Sequence, residues 1–73
     1  MDIRQMKYFK TIVEEGTISK AAKVLHMAQP PLSMQLKQLE EELGVILLKR
    51  GNKQIELTDA GTQFYKRCLQ ILD

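Results

Sequence analysis

The sequence has few of the residue types from which metal sites, disulfides and many active sites are built. Its 73 residues include one cysteine, Cys68, and one histidine, His26. A single cysteine excludes an intrachain disulfide and fits a reducing compartment, and one histidine with one cysteine does not make a structural zinc site. No apolar run approaches the roughly 18 residues that a membrane-spanning helix needs. These absences predict a chain without a bound metal, a disulfide or a membrane span.

Groups arranged for catalysis are also missing. The sequence has no nucleophile beside a base, no carboxylate pair in an apolar setting and no glycine-rich phosphate loop. We therefore expect no enzymatic activity, and we interpret glutamates 40–42 as a solvated or helix-crossing feature. Aromatic residues make up 5% of the chain, so the stacking platforms on which RNA-binding modules depend are not expected either.

Charge is unevenly distributed along the chain. The net charge is +2 and the pI is about 8.8, which is a weaker basic signal than nucleic-acid-binding domains usually show. Residues 16–39 nevertheless contain three lysines and no acid, and residues 49–53 form a second basic cluster. The acids gather at residues 14–15 and 40–42. This distribution predicts a cationic surface of the kind that a phosphate backbone attracts.

Residues 28–44 predict one helix with two chemically different faces. Pro30 and Pro31 fit a first turn, where backbone N–H groups lack intrahelical partners, and Gly44 supplies a left-handed C-cap. Ala28 caps a helix less well than serine or threonine, by about 1 kcal/mol, so we expect Gln29 to be the cap and Pro30 the first helical residue. Leucines at helical spacing form one inward stripe, consisting of Leu32, Leu36, Leu39 and Leu43. The side chains that point largely away from it are Ser33, Met34 and Lys37.

Two shorter helices precede this segment. The first is expected from Asp2 or Ile3 to Glu15, with an inward face of Ile3, Met6, Phe9, Ile12 and Val13. Thr17 is expected to cap the second, which runs from Ile18 to about His26 and turns Ile18, Ala21, Ala22 and Leu25 inward. A short helix, a tight turn and a second helix with a polar front are the parts of a helix-turn-helix.

After Gly44 the pattern changes to strand. Residues 45–48 and 54–57 flank a basic turn and predict a hairpin, the wing, whose Leu47, Ile55 and Leu57 pack on the helices. Thr58 and Asp59 begin a last helix. Its apolar band is wider than a tail helix needs, and we interpret part of it as a dimer contact. The residues of that contact are Phe64, Tyr65, Cys68, Ile71 and Leu72. No breaker follows Leu72, so we expect this chain to be the front piece of a longer protein.

Several segments in order resemble the N-terminal domain of LysR-type transcriptional regulators. They are RQMKYF at 4–9, EEGTISKAA at 14–22, QPPLS at 29–33, LEEELG at 39–44 and LTDAG at 57–61. The QPPLS form is most similar to members that govern catabolic operons. The resemblance implies a mainly α fold, in which residues 1–58 are a winged helix-turn-helix of three helices and a two-stranded β wing. It implies that residues 59–73 begin a long linker and dimerisation helix.

The resemblance also implies partners. Family members act in the bacterial cytoplasm as homodimers that pair into tetramers, and they bind interrupted palindromes in double-stranded promoter DNA. A small-molecule effector binds a C-terminal domain of the full-length protein, and no cofactor is implied for the present segment. The recognition helix, about residues 30–43, would enter the major groove, and the wing, about 47–57, would meet the minor groove or backbone.

Site residues carried over by position fall into three groups. Base edges or nearby backbone would be met by Gln29, Pro30 and Ser33, and phosphates near the second helix by Thr17 and Ser19. Lys37 is not carried over from the family, but as a cation on the polar face of the third helix it could also hold a phosphate. The flanking minor groove or backbone would be reached by Arg50 and Lys53. Met34 stands where the family often has arginine, so a bidentate guanine contact gives way to an apolar contact with a thymine methyl.

Each assignment has a plainer alternative. Gln29 could bond to backbone at the helix start, Ser33 and Lys37 could simply be solvated, and Arg50 could pair with Glu56. Thr17 could act only as a helix cap. For the chain as a whole, the alternatives are a protein-interaction module that uses the apolar band of the last helix and a winged-helix RNA binder, which would need aromatic stacking platforms.

Overall fold

A computed structural model describes residues 1–49 and 54–72. The elements are α1 (Ile3–Glu15), α2 (Ile18–Val24), α3 (Gln29–Leu43), β1 (Leu48–Lys49), β2 (Glu56–Leu57) and α4 (Asp59–Leu72). The two strands pair antiparallel, with Leu48 opposite Leu57 and Lys49 opposite Glu56. The expected mainly α architecture with a two-stranded wing is confirmed.

The first helix begins and ends where its sequence predicts. The Asp2 carboxylate accepts a hydrogen bond of 2.8 Å from the Gln5 backbone N–H, and Gly16 ends the helix in the left-handed conformation at φ 87°. The inward face differs from the expectation at two positions. Ile3 is 51% exposed, whereas Gln5 is buried. The helical period alone thus assigns Ile3 to the inward face wrongly.

The second helix is shorter than expected and ends at Val24. The reason is a left-handed residue at His26, with φ 56°. The N–H of His26 donates to the Lys23 carbonyl and that of Met27 donates to the Ala22 carbonyl. These are the two bonds of a Schellman motif, in which a left-handed residue satisfies the last carbonyls of a helix. His26 is therefore a turn residue beyond the end of α2.

The third helix starts one residue earlier than expected. Its N-cap is Ala28, which makes no side-chain capping hydrogen bond, and Gln29 is its first residue. Pro30 and Pro31 consequently occupy the second and third helical positions, still within the first turn. Gly44 ends the helix at φ 72°, as predicted.

The core is built mainly from the helices and lies around α1, which packs against α2, α3 and α4. The rings of Phe9 and Phe64 pack with centroids 5.3 Å apart. The fully buried large side chains are Phe9, Ile12, Leu32, Leu36, Leu39, Leu47, Leu48 and Cys68. Three of the four stripe leucines of α3 are thus buried and Leu43 is half-buried, so the predicted inward face of α3 is confirmed.

The wing begins later than the sequence pattern indicated. Val45 and Ile46 are outside the strand and 41% and 59% exposed, whereas Leu47 is buried. Ile55 and Leu57 pack against the core as expected, and the Ile55 N–H donates to the Gly16 carbonyl at 3.0 Å. None of the helices within residues 1–49 and 54–72 is long and apolar enough to cross a bilayer.

Candidate nucleic-acid interface

The front of α3 is exposed because its back is fixed in the core. Gln29, Pro30 and Met34 are exposed, Met34 at 60%, and Ser33 is half-buried. The buried leucines one turn apart set the rotation of the helix, so these side chains face outward together. The helix therefore presents an amide, a hydroxyl and an apolar thioether side by side, which are groups able to contact base edges.

Cations flank this front along the chain. Lys37 is exposed one turn beyond Ser33, and Lys20 and Lys23 are exposed on α2. Lys49 is exposed on β1. Arg50 and Lys53, the predicted contacts of the wing tip, lie outside the described residues.

Thr17 and Ser19 begin α2 on the surface. The Thr17 hydroxyl accepts a hydrogen bond of 3.0 Å from the Lys20 backbone N–H, so its role as a cap is confirmed. Ser19 is exposed. Contact of either hydroxyl with phosphate stays a prediction.

Glu40 corrects the expectation for the acidic run. It is only 5% exposed, and its Oε2 accepts hydrogen bonds from the backbone N–H groups of Leu47 at 2.7 Å and Leu48 at 3.3 Å. Glu41 and Glu42 are exposed. The signal was present in the spacing, because Glu40 follows Leu36 by four residues and so shares its inward face. An interpretation of the three glutamates as one solvated unit misses this difference.

Some apolar side chains of the last helix pack against the core of the domain, and others are exposed to solvent. Phe64, Tyr65 and Leu72 are half-buried against the core, and Ile71 is 53% exposed. Cys68 is fully buried in its own chain, and burial raises the pKa of its thiol. Cys68 thus has no surface to offer a second subunit, which corrects its assignment as a dimer contact.

A polar contact joins α4 to α1. The Tyr65 hydroxyl donates to Glu14 Oε2 at 3.0 Å, and Lys10 lies 3.0 Å from the same oxygen. The hydrogen bond from Lys10 lowers the pKa of Glu14. Burial, followed by the hydrogen bond to Glu14, raises the pKa of Tyr65. This contact helps to set the position of α4 on the helix-turn-helix.

Within residues 1–49 and 54–72, no three histidine, cysteine or acidic side chains are grouped to hold a metal ion. The geometry instead offers an outward helix front, flanking cations and a wing beside it.

Several known proteins are similar to this chain in sequence and in structure. The HTH-type transcriptional regulator BsdA of Bacillus subtilis (strain 168) is 62% identical over 73 residues, which are 99% of this chain and 25% of that protein. The HTH-type transcriptional regulator BenM of Acinetobacter baylyi is 46% identical over 72 residues, covering 99% of this chain and 24% of the regulator. The chain thus spans about a quarter of the length of these curated relatives.

Solved structures give the same result. The crystal structure of the BenM DBD with catB site 1 DNA matches with a TM-score of 0.96 and 46% identity, covering 99% of this chain and 80% of that one. The CbnR DBD–DNA complex matches with a TM-score of 0.94 and 47% identity, covering 99% of this chain and 83% of that one. A family model described as "Bacterial regulatory helix-turn-helix protein, lysR family" matches residues 3–62. The chain therefore belongs to the LysR family of bacterial regulatory helix-turn-helix proteins.

Proposed function

We propose that this chain is the part of a transcriptional regulator that binds double-stranded DNA with sequence preference. In this proposal α3 enters the major groove and the wing lies on the neighbouring minor groove or backbone. The observation that carries the proposal is the exposed front of α3, from Gln29 to Met34, held outward by buried leucines. The relatives named above are transcriptional regulators, and two of the similar structures are complexes with DNA.

The side chains on this front have distinct roles in the proposal. The Gln29 amide suits a bidentate contact with adenine, and Met34 suits an apolar contact with a thymine methyl. Ser33 and Pro30 lie beside them against base edges or backbone. Phosphates would be contacted by Lys37, Thr17 and Ser19, with Arg50 and Lys53 on the flanking groove. Phosphate contacts fix the position on the duplex, and the base contacts select the sequence.

The proposal extends to the whole protein. Two copies joined through α4 would place two α3 helices on the halves of an interrupted palindrome in a promoter, and pairs of dimers would form a tetramer. A longer protein would carry a domain that binds a small-molecule effector. The proposed location is the bacterial cytoplasm, where the promoters that such a regulator would bind are found.

Selection of bound duplexes from random DNA tests the proposal. The 73-residue chain is incubated with a pool of random duplexes, and bound DNA is sequenced over several rounds. We expect one short motif to be enriched, and in dimers an inverted repeat of that motif. A pool that stays random after selection would contradict DNA reading and favour the competing function, an interaction module that uses exposed apolar residues of α4 such as Ile71.

A further inference from the structure

The root of the wing, residues 46–48, is held from two sides by helices. From α3, Glu40 Oε2 accepts the N–H groups of Leu47 and Leu48. From the start of α4, the Thr58 hydroxyl donates to the Ile46 carbonyl at 2.6 Å, and the Thr58 N–H donates to the Leu47 carbonyl at 3.0 Å. The backbone N–H and C=O of Leu47 are thus both bonded to groups outside the wing.

The pairing of the strands is too short to hold the wing by itself. Each strand has two residues, Leu48–Lys49 and Glu56–Leu57. An isolated two-stranded hairpin is at best marginally stable in water, so the contacts that join it to the helices decide where it lies. Gly61 shows how close this packing is, because a Cβ atom there would overlap the Leu47 carbonyl oxygen.

Glu40 is suited to act as the link to α3. A buried carboxylate is costly unless it is well bonded, and hydrogen bonds to a charged acceptor are stronger than those between neutral groups. Glu40 also lies three residues after Lys37 on the helix that presents Gln29 and Met34. Its bonds therefore tie the wing to the same rigid element that carries the exposed front.

We propose that Glu40 is a positioning residue that fixes the wing relative to α3, so that both engage one continuous stretch of DNA. This inference rests on the proposed function. Glu40 does not touch the DNA, and it acts through the backbone of Leu47 and Leu48. Removal of the Glu40 carboxylate should lower the contribution of the wing to DNA affinity and leave the contribution of α3 unchanged.

Two duplexes separate these parts of the affinity. The first ends with the base pairs that α3 covers in the selected motif, and the second extends by about one helical turn on the wing side, or about 10 base pairs. The ratio of the two affinities measures the contribution of the flank. The variant is Glu40→Leu, which keeps a similar volume without acceptors, and the matched control is Glu41→Leu on the exposed neighbour.

We expect the flank to strengthen binding of the unaltered chain and of Glu41→Leu by about tenfold, which corresponds to about 1.4 kcal/mol. In Glu40→Leu we expect this ratio to fall to about one, with affinity for the short duplex within about twofold of the unaltered chain. Glu40→Gln keeps an acceptor oxygen and should restore most of the ratio. A folded Glu40→Leu that keeps the full ratio, or that loses affinity equally for both duplexes, would overturn the inference.

Amide hydrogen exchange tests the hydrogen bonds between Glu40 and the Leu47 and Leu48 amides in the absence of DNA. The Leu47 and Leu48 amides should exchange faster in Glu40→Leu than in Glu41→Leu, while amides in α1 stay protected. Equal protection in both variants would overturn the positioning role even if DNA binding holds. Absence of sequence preference in the unaltered chain would refute the proposed function instead. If Glu40→Leu does not fold, Glu40→Met, which has a similar length and no carboxylate, serves for both measurements, and a ratio near one with faster Leu47 exchange is the expected result.

Discussion

Pro30 and Pro31 reduce the stability that a capping side chain could add at the start of α3. A capping side chain accepts a hydrogen bond from the N–H of the second or third helical residue. In α3 those positions are prolines, which have no N–H. The exposed front thus begins with few unsatisfied donors, and the alanine at position 28 costs little. The penalty that the sequence pattern assigned to Ala28 does not apply here.

Two substitutions test this difference between helix starts. Ala28→Ser should change the free energy of unfolding by less than about 0.5 kcal/mol, because no donor is available. Thr17→Ala should lower it by about 1 kcal/mol, because the N–H of Lys20 loses its acceptor. Urea denaturation followed by circular dichroism measures both. A clear gain of stability in Ala28→Ser would show that α3 begins elsewhere.

Gln29 provides the sharpest test of base reading by a single side chain. Gln29→Ala should weaken binding to the selected duplex by about 1–3 kcal/mol and relax the preference at one base pair in each half-site. Gln38→Ala is the control, because that amide is exposed on the same helix but about two and a half turns further on. The measurement is a titration against duplexes with each base substituted in turn. If Gln29→Ala weakens binding to every duplex equally, Gln29 does not read a base.

The residue pattern predicts which leucines of α3 are buried better than it predicts the burial of individual polar residues on that helix. Leu32, Leu36 and Leu39 repeat with the helical period, so their burial follows from local spacing. The spacing of Glu40 from Leu36 indicates an inward position, but the donors that bond its carboxylate come from residues seven and eight positions later in the chain. Such a bond is set by tertiary packing, which a local pattern does not encode.

At the scale of elements, contacts between helices decide how α4 sits on the domain. Tyr65 of α4 and Lys10 of α1 both bond to Glu14. The lowered pKa of Glu14 means that the ionised carboxylate is favoured in the folded state. Its contribution to stability is therefore present above the unfolded pKa and is lost as pH falls through the folded pKa.

Acid titration of stability tests this contact. Between about pH 5 and pH 3 the unaltered chain should lose stability more steeply than Glu14→Gln, which has no charge to titrate. Glu15→Gln, on the exposed neighbour, should behave like the unaltered chain. Tyr65→Phe should retain most of the acid dependence, because Lys10 is the larger cause of the shift. Thermal unfolding across this pH range measures the loss of stability. Parallel curves for Glu14→Gln and the unaltered chain would contradict the expected contribution of Glu14.

Element types and order followed from the sequence, whereas several element ends did not. Caps such as Thr17 and breakers such as Gly44 act through their own neighbours and were visible in the sequence. The end of α2 depends on a left-handed histidine, His26, which local composition does not mark. The late start of the wing depends on how residues 46–48 are bonded by Glu40 and Thr58, and so on elements far apart in the chain.

At the scale of the whole molecule, α4 would join two copies through the side chains that its own core leaves exposed. Ile71→Lys should weaken self-association of the chain by about tenfold or more. It should leave the stability of the monomer within about 0.5 kcal/mol, because the side chain is on the surface. Gln70→Lys adds the same charge one residue away and should have a smaller effect. Sedimentation velocity over a range of concentrations measures this, and identical behaviour of the two variants would place the dimer contact elsewhere.

The central claim is that the outward front of α3 and its flanking cations recognise a particular duplex. The most direct measurement is a fluorescence anisotropy titration of the selected duplex and of a scrambled duplex over a range of salt concentrations. The account predicts that both affinities fall steeply with salt as counterions are released. It also predicts that the selected duplex binds about a thousandfold more tightly at physiological salt. Equal affinity for the two duplexes would contradict it.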